Sequence, residues 1–446
     1  MATRWRLLRC PHTTRSRHFV PRPWRLSHLP PTDRPASRSS PLLSLGVPAY
    51  RHFITAQVLS CLCLWTHRTA HVWLAVQLTG GDPLSVALVT SLQFLPMFLS
   101  AQGGKLGDRL NKRGLLIASQ SLTAAGTLAL GVLTWLGAAN LFWVCVFAAL
   151  LGIPAAVDAP TRLALPRELV VPELLASAIG INGIVFQTSR VVGPAIAGVL
   201  IASWGVSSGF FAAGVCGVLG LLALASVPKG TTSRGTVRSG ESWREALQWI
   251  RADAGLVAPI VGGFVVGVCL ANLQLALPLI LTGIAGAGAA SYGALVAMTG
   301  VGGAVGAAIG ASFRGGAPMG RLHILLAGFA LASALVSILP NVVTLAAGVV
   351  VAAVFMQAYN TTAISTLQAS TPEGGHGRVM GIYVLSYFIW SGAGTPLFGL
   401  AASWIGPRAA LGTSSALCLL AVTVLALRLR RSSSKSHSPD KGVALK

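Results

Sequence analysis

The side chains with chemistry to offer sit at unusual places in this chain. Arg190 falls in the middle of an unbroken apolar run, where a guanidinium either attracts an anionic group or pairs with carbonyls at helix ends. Gln57, Ser60, His67 and His71 follow one another at steps of three, seven and four, close to a single helical stripe, with Arg68 beside it. Imidazoles titrate near neutral pH, so the two histidines are candidate proton carriers. A polar stripe on an otherwise apolar helix is expected to face a wet cavity, although His67 and His71 could also sit at a membrane interface. Asp158 and Arg162, four apart, can pair on one helical face. Further along, Gln357, Asn360 and Thr361 share a face, and Tyr383, Tyr387 and Trp390 give the next apolar run an aromatic side; both stripes suit either a cavity lining or packing between helices.

What is missing narrows the chemistry further. The acids number eleven: Asp33, Asp82, Asp108, Asp158, Glu168, Glu173, Glu241, Glu245, Asp253, Glu373 and Asp440, none in the middle of an apolar run. Proton coupling through a buried carboxylate therefore has no obvious carrier, and His67, His71 or Asp158 would have to titrate instead, which leaves coupling open. No metal site or cofactor is expected: the seven cysteines are scattered and read as small packing residues, and Cys61 and Cys63, two apart, point to different sides of a helix. A membrane-embedded enzyme would need a nucleophile, base or metal cluster at membrane depth, and no such grouping is written here.

The elements that must hold these groups follow from composition. Of 446 residues, 53% are hydrophobic and 10% charged, against about a quarter charged in an ordinary soluble domain. Apolar runs recur at 52–76, 84–104, 114–135, 139–161, 174–202, 205–227, 254–281, 290–312, 321–339, 342–366, 378–403 and 408–427, each near the roughly 20 residues that a spanning helix needs. The fold class expected is an all-α membrane protein with twelve transmembrane helices. The 51 glycines suit helices that pack closely in lipid.

The net charge of +22 is a matter of placement. Of 33 Lys and Arg, ten lie in residues 1–51 and six in 428–446. Alternating the connections between two sides puts fourteen others with both tails and leaves Arg408 alone across from them, so the positive-inside rule places both termini in the cytoplasm of a cell-membrane protein. Nucleic acid is not an expected partner, since no aromatic residues are interleaved with a basic surface. Residues 1–50, rich in Arg, Pro and Ser, should form a disordered tail; they are expected to precede the true translation start, with an Arg-rich presequence as the alternative. The segment 428–446 is a second basic tail. Residues 228–253 form a linker whose Trp243, Ala246, Leu247 and Ile250 repeat at helical spacing, as in an amphipathic helix on the membrane surface.

The linker separates two halves, 51–227 and 254–427, that repeat one another. GPAIAGVLIASWG at 193–205 resembles GTPLFGLAASWIG at 394–406, an offset of 201 residues. The same offset brings Gly107–Arg113 beside Ala308–Arg314, a match that rests mainly on the arginine. Two such halves imply a pseudo-twofold axis with a site between them.

One string is more specific. GGKLGDRLNKRG at 103–114 places Gly104, Asp108, Arg109, Lys112 and Arg113 in the pattern Gly-x-x-x-Asp-Arg-x-x-basic-basic, and resembles the signature loop of the major facilitator superfamily. A second string, Gly180, Ser189, Gly193, Pro194, Ala197 and Gly198, resembles the export-associated motif in helix 5 of that superfamily, with Ser and Ala standing where two glycines are usual. DAPTRLALPRELV, SRVVGPAIAG and TPEGGHGRVMGIY look like the branch that includes the enterobactin exporter and related drug-efflux permeases. The resemblance covers residues 50–427. It implies that the signature loop latches the halves, aiming Asp108 at the start of helix 11 near Arg378, with Asp158 and Arg162 joining Asp108 and Arg109 in a cytoplasmic gate. It implies that helix 5 meets helix 8, for which Gly302, Gly306 and Gly310, at four-residue spacing, supply a small-residue face.

The expectation is therefore a secondary transporter working by alternating access and exporting an amphipathic or siderophore-like small molecule, its substrate cavity drawn from Gln57, His67, Arg68, His71, Arg190, Gln357, Asn360, Tyr383 and Tyr387. An uptake permease of the same fold is the alternative. The partners are a small-molecule substrate and the lipid bilayer; a monomer suffices, the sequence being otherwise silent on oligomeric state.

Overall fold

The computed structural model describes residues 43–99, 111–228, 243–313, 319–371 and 376–436. The latch residues Gly104, Asp108 and Arg109 lie outside these segments, as do most of the two tails and the first part of the linker.

Over its described residues every predicted apolar run falls on helix, and no strand occurs among the described residues. In chain order the helices are α1 (Pro48–Thr79), α2 (Pro83–Phe94), α3 (Lys112–Trp135), α4 (Leu141–Ala164), α5 (Leu175–Trp204), α6 (Val206–Ala225), α7 (Ala254–Thr282), α8 (Ala289–Ser312), α9 (Met319–Val336), α10 (Val342–Ser370), α11 (His376–Ala393), α12 (Thr395–Ile405) and α13 (Pro407–Ser436). A linker helix, Trp243–Ala252, precedes α7, and its Ile250 is buried while Leu247 is exposed.

Among the described residues, eight helices are long and apolar enough to cross a membrane, and α11 with α12, bent by 42° at their junction, make a ninth when counted as one broken span. The bend has a local cause: Pro396 has no N–H to continue the helix. The other three runs depart from the simple picture in their own ways. Helix α2 was predicted to run to residue 104 but gives way at Leu95 to a 3-10 turn, Leu95–Leu99, because Pro96 ends the regular ladder. Helix α9 is short. Helix α1 is 32 residues long but carries Gln57, His67, Arg68 and His71.

The helix starts are legible in their caps. Asn111, Asn140, Asn341, Asp82 and Asp253 each accept a backbone N–H of the first turn that follows, satisfying donors that a helix end leaves without a partner. Asn140 and Asn341 stand 201 residues apart, the offset of the internal repeat. Gly205 and Gly406, at the same offset, both turn the chain between helices at φ of 81° and 83°, a left-handed conformation that glycine adopts without strain. The repeat thus extends to cap and turn chemistry. Arg408, alone on its side in the sequence, donates to the carbonyls of Ser337 (3.2 Å) and Leu339 (2.6 Å) just past α9, the usual use of a cation at a helix C-terminus.

The short loops at Gly80–Asp82, Gly137–Asn140, Gly205, Gly283–Gly288 and Gly406 share one end of the bundle, here the loop end; the opposite, basic end carries the start of α1 and Lys112, Arg113, Arg162 and Arg378. Trp135, Trp204 and Trp404 are exposed at the loop end, as in an aromatic belt at a membrane–water interface.

Asp82 offers a simple test of the cap reading. Its carboxyl is held below the ordinary carboxylate range by the Ser85 hydroxyl and by backbone N–H groups of Ser85 and Leu84. A depressed folded-state pKa gives stability that is present above the unfolded value of about 3.9 and lost as pH falls through the folded one. Asp82→Ala should cost about 1 kcal/mol at neutral pH, and the gap in thermal midpoint between the two proteins in detergent should narrow on acidification to about pH 3.

Candidate functional site

Two ion pairs occur among the described residues, Lys112–Glu168 and Arg162–Asp158, both at the basic end. The second is the i, i+4 pair expected from the sequence, but the guanidinium does far more than meet Asp158. Arg162 Nη1 donates to Gln57 Oε1 (2.9 Å), and Nη2 donates to Ser60 Oγ (3.1 Å) and Gln120 Oε1 (3.0 Å). Gln120 passes the contact on, donating to the Gly217 carbonyl at 3.2 Å. With Arg162 only 5% exposed, this is a clamp that ties α4 to α1, α3 and α6. Gln57, expected in the substrate cavity, lies beneath that clamp. The reason is chemical: a buried guanidinium with five donors collects every nearby carbonyl and hydroxyl oxygen.

Lys112 is likewise occupied within the first six helices by Glu168, and Arg113 Nη2 donates to the Ala225 carbonyl at 2.5 Å. Arg378 stands in the first turn of α11, half-buried; its expected approach by Asp108 lies outside the described residues.

The histidine stripe also turns inward. His67 and His71 are buried against α3, α4 and α6 and form a chain: Thr127 Oγ1 to His67 Nδ1 (3.3 Å), His67 Nε2 to His71 Nδ1 (3.2 Å), and His71 Nε2 to the Val144 carbonyl (3.0 Å). The carbonyl can only accept, so with both rings neutral His71 carries its proton on Nε2, His67 donates from Nε2, and Thr127 donates to His67. Phe210 packs beside both rings. A wet, cavity-facing stripe is therefore not what α1 presents here; its polar atoms are used up among the first six helices. Removing one ring strands its neighbour, whereas removing both leaves Thr127 and Val144 to their own helices, so His67→Leu and His71→Leu should each cost about 1–3 kcal/mol while the double replacement costs less than their sum. Thermal midpoints of the purified proteins complete that cycle.

Helices α5 and α8 meet, but through other glycines than those expected. A side chain at Gly302, Gly306 or Gly310 would strike the backbone of α10 at Val350, Val354 and Ala358, so that stripe faces α10. The face turned to α5 is Gly293, Gly300 and Gly303: a Cβ at Gly293 would lie 2.9 Å from Gly198 N, one at Gly300 3.0 Å from Val191 N, and one at Gly303 3.0 Å from Gln187 Nε2. Helix α8 has two small-residue faces, and spacing alone does not say which partner takes which. Within the α5 motif, Gly193 faces α1, where Thr66 Oγ1 donates to its carbonyl at 3.2 Å. Gly198 faces the start of α8, and Ser189 and Ala197 are buried. Pro194 removes the N–H that would have paired with the Arg190 carbonyl one turn back. Gly180 has nothing within 4 Å of where a side chain would begin.

Gly399, the repeat partner of Gly198, packs in the equivalent way, its Cβ position 2.9 Å from the Pro83 carbonyl and 3.1 Å from Leu84 Cα at the start of α2. The contacts of α5 with α8 and of α12 with α2 are thus related by the pseudo-twofold. Trp73 stacks on Tyr292 at 5.7 Å near the same end, and Ser91 Oγ donates to the Gly392 carbonyl deeper in.

Between these contacts lies the guanidinium in the middle of α5. Arg190 is 6% exposed and sits over the Trp65 ring at 5.6 Å, with Tyr387 close by; Arg68 lies 5.8 Å from the same ring and 4.9 Å from Phe94. Of the remaining expected lining, Tyr383 Oη donates to Asn360 Oδ1 at 2.6 Å, and Gln357 borders Gly306. Trp65, Phe94 and Gln187 were missed; Gln187, three residues before Arg190 on α5, and Trp65, three before Arg68 on α1, had helical spacings that could have marked them.

Comparison with known proteins agrees with this architecture. A family model described as transmembrane secretion effector, within the major facilitator superfamily, matches residues 39–443. The enterobactin exporter EntS of Salmonella paratyphi A is 26% identical over 435 residues, 91% of this chain and the whole of that protein. The staphyloferrin A transporter of Staphylococcus aureus is 26% identical over 174 residues, 39% of this chain and 44% of its own length. Among solved structures, an inward-facing, unoccupied bacterial homologue of the human lysosomal transporter Spinster superposes with a TM-score of 0.65 at 18% identity, covering 84% of this chain and 94% of that one. A peptide transporter of the POT family reaches 0.69 at 14% identity, covering 86% and 94%. The chain belongs to the transmembrane secretion effector family of the major facilitator superfamily, and is a membrane transporter.

Proposed function

We propose that the protein exports an amphipathic, siderophore-like small molecule by alternating access, with both termini in the cytoplasm of a cell-membrane protein. The observation that carries this reading is the pair of pseudo-equivalent glycine contacts, Gly198 on the start of α8 and Gly399 on the start of α2, which close the loop end through backbone approaches that parting helices would release. The excess of Lys and Arg at the opposite end supports a cytoplasmic assignment for that end. Export is supported by the naming of the enterobactin exporters that match most of the chain.

The test is transport in oriented vesicles with ferric-free enterobactin as the probe, with and without a pH gradient. Accumulation in inverted vesicles is the expected result. Accumulation only in right-side-out vesicles would establish an uptake permease instead. A dependence on the pH gradient would point to proton coupling, for which the buried His67–His71 pair is the candidate carrier.

A further inference from the structure

We propose that Trp65, Arg68, Gln187 and Arg190 form a binding site for a small aromatic anion, its charged group held by the two guanidinium groups and its ring lying against the faces of Trp65 and Phe94. This rests on the reading of the protein as a transporter of small molecules and names the class of molecule that the central site takes.

The first observation is a set of buried donors with nothing to donate to. Arg190 Nε, Trp65 Nε1 and Gln187 Nε2 are all buried and make no hydrogen bond. They converge: both guanidinium carbons lie within 6 Å of the Trp65 ring centre, and a Cβ at Gly303 would stand 3.0 Å from Gln187 Nε2 and 3.6 Å from Arg190 Nη1. Buried polar groups are almost always paired, and three orphans of one polarity in one place define what is missing as an acceptor.

The second observation is charge. The acids among the described residues are Asp82, Asp158, Glu168, Glu173, Glu245 and Asp253, all near helix ends, and the two ion pairs that form among those residues use Lys112 and Arg162. Arg68 and Arg190 therefore share an indole without a carboxylate between them. Two like charges in a low-dielectric interior repel, and a bound anion reverses the sign of that interaction.

The third observation gives the rest of the ligand. Behind Arg190 the walls are apolar, formed by Leu270, Leu273, Thr299, Phe329, Val349, Ala353 and Met356, and they close to a gap no larger than about one water. The place for a ring is on the other side of the guanidinium groups, where Trp65 and Phe94 present flat faces beside the cations. A charged end fixed by a few convergent donors and an apolar body against aromatic side chains is the ordinary division of labour in a ligand site. Guanidinium groups also bind a carboxylate through two parallel N–H donors.

The test is direct binding of benzoate to the purified full-length protein in detergent, by equilibrium dialysis, with benzamide, cyclohexylmethylamine and citrate as comparisons. Benzoate should bind, benzamide and the amine should not compete, and citrate should compete weakly because it has charge without a ring. Arg190→Gln should weaken benzoate binding at least tenfold, Arg190→Lys less, and Arg68→Gln several-fold, with gel-filtration profiles and thermal midpoints showing each variant folded. No benzoate binding by the wild-type protein, equal binding of benzamide, or unchanged affinity in Arg190→Gln would overturn the site; tighter binding of citrate than of benzoate would overturn its aromatic part. The measurement needs neither a gradient nor a direction of transport, so its failure is distinguishable from failure of the export reading: vesicle transport that persists in Arg190→Gln removes this site alone, and binding without transport removes export alone.

Discussion

Replacing Arg162 by leucine is expected to destroy the folded protein, not merely to slow transport. The substitution leaves the Asp158 carboxylate half-buried without its cation and withdraws donors from Gln57, Ser60 and Gln120, three side chains on two other helices. Removing one partner of a buried ion pair costs about 3–5 kcal/mol, a large share of the 5–15 kcal/mol by which a typical protein is stable. Arg162→Lys should be intermediate, since a single ammonium has three donors where the planar fork serves four acceptors. Asp158→Leu combined with Arg162→Leu should recover part of the loss because no unpaired charge remains. Gel filtration of detergent extracts and thermal midpoints measure all three. A folded Arg162→Leu protein with defective transport would return this arginine to the gate role that its place in the sequence suggested.

The partners that Arg162 finds show where the sequence was legible and where it was not. Apolar runs are local signals, and they placed the helices and the break before Arg408; the 201-residue repeat paired the segments of Gly198 and Gly399, whose equivalent contacts the structure then shows. The partners of Arg162 other than Asp158 lie 42 to 105 residues away on helices α1 and α3, a distance at which spacing carries no information. The histidine stripe misled for a related reason. A polar face on a membrane helix is satisfied equally by water or by polar atoms on a neighbouring helix, and the atoms that decide, Thr127 Oγ1 and the Val144 carbonyl, carry no mark in the sequence. Gly302, Gly306 and Gly310 were recognised as a contact face but given the wrong neighbour, because α8 is small on two sides.

Filling the two repeat-related glycines should give the largest effect on the conformational cycle. A leucine at position 198 would put its Cβ 2.9 Å from the Ala289 carbonyl and from Gly293 Cα, and one at position 399 would meet the Pro83 carbonyl at 2.9 Å. These neighbours are backbone, so no rotamer change relieves the clash; the helices themselves must separate. Overpacking of this kind costs about 1–3 kcal/mol, and since the cost falls only on the state in which α5 touches α8 or α12 touches α2, it shifts the equilibrium between states by about 5- to 150-fold. Both Gly198→Leu and Gly399→Leu should therefore favour the conformation open at the loop end, suppress transport and leave thermal stability largely intact, while Gly198→Ala, with the same Cβ but no branch beyond it, should do so more mildly. Accessibility of a cysteine placed at Tyr292, which stacks on Trp73 where the loop end closes, reports the shift directly. Labelling should rise in both leucine variants. If it rises in one and not the other, the two contacts are not equivalent halves of a single gate, and the pseudo-twofold is a feature of the fold without being a feature of the motion.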